Sequence, residues 1–122
     1  MSGPLVSVVD DDESVRESLP DLLRELGFAV RAFSSAEDFL ASDCVRTSAC
    51  LILDIAMPGV SGPALQHALT LRGHAIPIIF ITANNDAAVR QRLVGQGAVA
   101  CLLKPFGDEA LRTALNVALR CN

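Results

Sequence analysis

The chain has no tryptophan and no tyrosine, and five phenylalanines make up its whole 4% aromatic content. It therefore lacks the stacking platforms that nucleic-acid bases or a flavin ring need. Positive charge is scarce as well. Ten basic residues against fourteen acidic ones give a formal net charge of −4, which lends no electrostatic support to direct binding of nucleic acid or of an anionic membrane. No apolar run approaches the roughly 18 residues of a membrane-spanning helix. The opening Met1-Ser2-Gly3-Pro4-Leu5 has neither a basic n-region nor a long apolar h-region, so no secretory signal is expected and a cytoplasmic location is. The four cysteines, Cys44, Cys50, Cys101 and Cys121, form no C-x-x-C pair and have no nearby histidine, which argues against zinc and disulfide frameworks and for reduced thiols. Six prolines and eight glycines are too few and too scattered to mark a linker. What remains is 122 residues, 51% hydrophobic and 20% charged, suited to one domain over 1–122 with a single-chain core.

The apolar residues fall into alternating short and periodic runs. Leu5-Val6-Ser7-Val8-Val9 reads as a strand, and Val15, Leu19, Leu22, Leu23 and Leu26 recur at helical spacing up to Gly27. The alternation continues with a strand over 28–33, a short helix over 36–40, a strand over 50–55 and a helix over 63–71 opened by Ser61. It ends with a strand over 76–81, a helix over 86–94, a strand over 99–103 and a last helix presenting Leu111, Ala114, Leu115, Ala118 and Leu119. Residues 44–49 suggest a longer connection, and Pro20 should kink the first helix because it removes a backbone donor.

Five β/α units predict an α/β fold, a doubly wound parallel sheet with right-handed crossovers. The runs at Leu5, Cys50 and Ile76 are nearly all apolar, as strands covered on both faces must be, whereas Phe28-Ala29-Val30-Arg31 alternates and suits an edge. The flavodoxin-like strand order 2-1-3-4-5 fits, and such sheets bind ligands beyond the carboxyl ends of their strands.

Those ends carry Asp10 and Asp11, Asp54, Thr82 and Lys104, the only lysine in the chain. Each has an ordinary explanation taken alone: helix capping for the acidic pair, β-branched propensity for Thr82. An aspartate that continues the buried run Leu51-Ile52-Leu53 is different, because an unpaired charge there is expensive. Three carboxylates at one rim call for a hard divalent cation with oxygen ligands, for which Mg²⁺ is the natural choice. A lysine and a hydroxyl opposite them suit the anion that travels with Mg²⁺, a phosphoryl group. Asp12 and Glu13 read as favourable charges at a helix N-terminus and receive no catalytic role.

These residues sit in text that resembles the receiver domains of two-component response regulators: Val8-Val9-Asp10-Asp11-Asp12, then Leu53-Asp54-Ile55-Ala56-Met57-Pro58-Gly59-Val60-Ser61-Gly62, Ile81-Thr82-Ala83, Gly97-Ala98, and Lys104-Pro105-Phe106. Ser35-Ala36-Glu37-Asp38-Phe39-Leu40 looks most like the FixJ-type members, whose receivers usually precede a helix-turn-helix domain; none is present in this chain. The resemblance implies that Asp54 is the phosphoacceptor, taking a phosphoryl group from a sensor histidine kinase. It implies Mg²⁺ held by Asp11 directly, by Asp10 largely through water, and by Asp54 and the backbone carbonyl of Ala56. Thr82 and Lys104 would bind the phosphoryl oxygens, with a cis bond between Lys104 and Pro105. A phosphorylation-dependent homodimer, or an output domain controlling transcription, would read the change; the domain itself would bind neither nucleic acid nor membrane.

One position departs from the family pattern. Three residues before Lys104 a receiver typically has an aromatic ring that swings inward with the threonine, and here the residue is Cys101. Other functions fit less well. A flavin or nucleotide carrier needs a phosphate-binding loop where this chain has Asp10-Asp11-Asp12-Glu13, and an aspartyl phosphatase would carry its nucleophile on the first strand. A degenerate receiver that only docks partners should have lost one of the five site residues, and all five are present.

Overall fold

The computed structural model describes residues 3–83 and 86–120; Asn84, Asn85 and Cys121 lie outside them. In chain order the elements are β1 (Leu5–Val9), α1 (Glu13–Glu25), β2 (Ala29–Phe33), α2 (Ala36–Leu40), α3 (Cys44–Thr47), β3 (Cys50–Asp54), α4 (Gly62–Leu71), β4 (Ile78–Thr82), α5 (Ala87–Gly95), β5 (Ala100–Leu103) and α6 (Asp108–Arg120). The five strands form one parallel sheet in the order β2-β1-β3-β4-β5, as the strand compositions predict. The alternating strand is indeed an edge, with Arg31 and Ala32 exposed. No helix among the described residues is long and apolar enough to cross a membrane.

Because successive strand residues point to opposite faces, the sheet sorts its side chains into two cores. Val6, Val8, Ile52, Ile79 and Ile81 pack with Leu19 and Leu23 of α1 and Leu111 and Leu115 of α6. Val9, Leu51, Leu53 and Phe80 pack with Phe39 of α2, Leu65 and Leu69 of α4 and Leu93 of α5. The two outer layers are therefore α1 with α6 on one face, and α2, α4 and α5 on the other.

Two local features differ from the sequence expectation. Residues 44–49 are not merely a connection: Cys44–Thr47 form α3, too short for any periodic signal, and a hydrogen bond of 2.6 Å between the Ser48 and Ser7 hydroxyls ties its end to β1. The fourth strand starts at Ile78 rather than 76, after Pro77, whose nitrogen cannot donate but whose carbonyl accepts from Leu51. Pro20 lies buried within α1, which runs from Glu13 to Glu25 as one helix. Helix starts follow the sequence closely: Asp12, Ser35, Ser61 and Asp86 all cap helices through side-chain oxygens.

Candidate functional site

Asp10 follows β1, Asp54 ends β3, Thr82 ends β4 and Lys104 follows β5, so the parallel sheet delivers all four to its carboxyl rim. Asp54 is in step with Cys50 and Ile52, toward the α1/α6 face, and Thr82 with Ile78 and Phe80, toward the α4/α5 face. Asp10 is fully buried, Asp54 is 7% exposed and Thr82 4%. Asp11, next in the chain, is exposed. Asp10, Asp11 and Asp54 each offer a carboxylate oxygen, and these lie within 4.8 Å of one another.

Asp10 is held from several directions. The Asp12 N–H donates to its Oδ1 at 2.9 Å, Lys104 Nζ to its Oδ2 at 2.8 Å and Arg16 Nη1 to its carbonyl at 3.0 Å. Lys104 Nζ also lies 3.9 Å from Asp54 Oδ1, an ion pair without hydrogen-bond contact. The Lys104 N–H donates to the Thr82 carbonyl at 2.7 Å, which joins these two positions through the backbone. The Lys104–Pro105 bond is cis.

This packing of charges shifts the ionisation of the central residues. Burial, followed by the Asp10 charge, pushes the Asp54 carboxyl up to about 6, against the opposing pull of Lys104 and a backbone hydrogen bond at Ala56; Asp11 adds to the rise. Burial works to lower the Lys104 ammonium, yet its hydrogen bond and charge contact with Asp10, aided by Asp54 and Asp12, leave it raised overall. One lysine thus stabilises two carboxylates and a third stands uncompensated beside them.

Cys101 is not part of this cluster. It pairs in register with Phe80, faces α5 and lines a shallow groove of about 290 Å³ with Arg90, Gln91 and Val94. Burial raises its thiol above the ordinary value, only partly offset by Arg90. Asp12 is the N-cap of α1 and Glu13 lies in its first turn, in keeping with the capping assignment. Sequence reasoning missed two contributors. Gly62 opens α4 where an added Cβ would stand 2.4 Å from the Asp54 carbonyl oxygen, so only glycine lets the loop return against β3. Arg16 reads in sequence as a solvated helix residue, and only its position six after a strand-ending aspartate hints at the contact it makes.

Residues 6–116 match the family described as response regulator receiver domain. The transcriptional regulatory protein TdiR of Thauera aromatica is 46% identical over 117 residues, covering 96% of this chain and 52% of that protein. The transcriptional regulatory protein FixJ of Azorhizobium caulinodans is 38% identical over 114 residues, covering 93% and 54%. Among solved structures, the response regulator StyR superimposes with a TM-score of 0.89 at 45% identity over 99% of this chain and 61% of its own. FixJ-N does so with a TM-score of 0.86 at 36% identity over 98% and 96%. The chain spans about half the length of the curated relatives it matches. With the family model matched over residues 6–116 and relatives 38–46% identical over more than nine-tenths of it, the chain belongs to the response regulator receiver domain family.

Proposed function

We propose that this chain is a phosphorylation-dependent switch that accepts a phosphoryl group on Asp54 from the phosphohistidine of a sensor kinase. The observation that carries this is the placement of the Asp54 carboxylate between two other carboxylates and the Lys104 ammonium at the end of a central strand. An Asp54 oxygen attacks phosphorus, the O–P bond forms as the N–P bond to the imidazole breaks, and an acyl phosphate results. Lys104 exchanges its hydrogen bond with Asp10 for one with a phosphoryl oxygen, and the Thr82 hydroxyl donates to another.

The donor set fits Mg²⁺. It consists of hard carboxylate oxygens close enough to share one ion, and the single lysine offsets their mutual repulsion only in part. Asp10, Asp11, Asp54 and the Ala56 carbonyl would hold it. When bound, the ion supplies positive charge to the transferred group, as phosphoryl transfer generally requires.

The response runs mainly through Thr82 and α5, because Cys101 is too small to sweep the volume of a ring. Its readers are a second copy of the chain or an output domain that controls transcription, in keeping with the names of the longer relatives. Treatment with acetyl phosphate and Mg²⁺ should give a hydroxylamine-sensitive mobility shift that Asp54→Asn abolishes. Labelling of Asp54→Asn at the wild-type level would overturn the assignment.

A further inference from the structure

Asp11 is the exposed member of the carboxylate cluster, and among the described residues its side chain accepts no hydrogen bond. The protein therefore places this carboxylate only through the backbone that sets its Cα–Cβ bond, beginning with the peptide that joins the Asp10 carbonyl to the Asp11 nitrogen. That carbonyl is the acceptor for Arg16 Nη1 at 3.0 Å. Asp10 itself needs no such help, since its N–H donates to the Phe33 carbonyl at 3.1 Å and both its carboxylate oxygens are hydrogen-bonded. Arg16 stands on the first turns of α1, half-buried, and its guanidinium forms no ion pair within 4.0 Å among the described residues despite the run of acidic groups from Asp10 to Glu13. A cation that follows four acidic residues in the chain yet engages a neutral oxygen is placed by geometry rather than by charge.

We propose that Arg16 is a positioning residue for the metal-binding carboxylates: by clasping the Asp10–Asp11 peptide to α1, it aims the Asp11 carboxylate at the ion. The inference rests on the proposed function above and goes beyond it in assigning a part to a residue outside the five at the strand ends. Partners of this outer kind typically change metal affinity by about 10–100-fold when removed.

Electrostatics and positioning predict opposite signs, which makes the test sharp. A guanidinium beside the site repels Mg²⁺, so removing it for its charge alone would tighten binding. Removing the clasp weakens it. Isothermal titration of the metal-free protein with Mg²⁺ should show Arg16→Met binding about tenfold more weakly than wild type, at the low end of that range. Labelling by acetyl phosphate should need about tenfold more Mg²⁺ yet reach the wild-type extent at saturation. Circular dichroism establishes that the variant is folded, and Arg16→Gln replaces it if it is not. Unchanged or tightened Mg²⁺ binding overturns the inference, as does a lowered labelling plateau at saturating Mg²⁺. Asp11→Asn is the control on the underlying reading. If that variant loses Mg²⁺ binding while Arg16→Met does not, only the role of Arg16 fails; if Asp11→Asn binds normally, the metal assignment itself fails.

Discussion

Lys104 is hydrogen-bonded to Asp10, at 2.8 Å, and stands off from Asp54 at 3.9 Å. The ammonium therefore serves first as the counter-charge of the fully buried carboxylate and only second as a neighbour of the proposed phosphoacceptor. Replacing it with methionine leaves Asp10 buried and unpaired. Lys104→Met is expected to lose about 2–4 kcal/mol of stability at pH 7.5 in chelator, the scale of breaking a buried pair from one side. Urea denaturation measures the loss, and Mg²⁺ should restore part of it. A variant as stable as wild type without metal would show that the pair contributes nothing to the fold.

Asp54 predicts a pH dependence of the opposite sign to that of a salt-bridged aspartate. Burial and the neighbouring carboxylates raise its folded value to about 6 from 3.8. Its neutral form favours the fold, so this contribution is whole below about pH 4 and is lost as pH rises through 6. At pH 7.5 without metal, Asp54→Asn should be more stable than wild type by about 1–2 kcal/mol, allowing for solvent on the Asp11 side. The advantage should shrink at pH 4. Chelator-treated samples compared at both pH values decide it, and an equal difference at each would count against a raised Asp54.

Gly62→Ala places a methyl group against the Asp54 carbonyl and the Phe80 ring, where an added Cβ stands 2.4 Å and 3.0 Å away. Neither the strand backbone nor the packed ring can yield cheaply. The expected cost is at least about 2 kcal/mol, toward the upper end of overpacking effects. Acetyl phosphate labelling should fall with it, since the displaced strand end carries Asp54. Thermal unfolding of the variant provides the check.

Cys101→Ala should leave both Asp54 phosphorylation and the response of α5 intact. Amide exchange across α5, with and without beryllium fluoride, is expected to change alike in wild type and variant. Loss of that response with loading preserved would make Cys101 a necessary part of the switch.

The strands and the rim were legible because both rest on simple physics. Buried parallel strands must be apolar, so an aspartate at the end of Leu51-Ile52-Leu53 stands out, as does the single lysine before Pro105. What escaped notice had no periodic or chemical signature: α3 is one turn long, Gly62 matters through space rather than backbone angle, and Arg16 acts on a carbonyl, which every residue has. β4 starts two residues inside its apolar run because Pro77 cannot join the ladder as a donor.

The sorting of side chains by the sheet has a practical corollary. Asp54 is in step with the α1/α6 face, whereas Thr82 and Cys101 are in step with the α4/α5 face, so the proposed phosphoacceptor and the proposed responding positions are separated by one layer of backbone. Such a partition lets the two halves of a signal diverge independently. On the proposed function, substitutions under α1 would act on the phosphoacceptor side of the sheet and substitutions under α5 on the side that faces a partner.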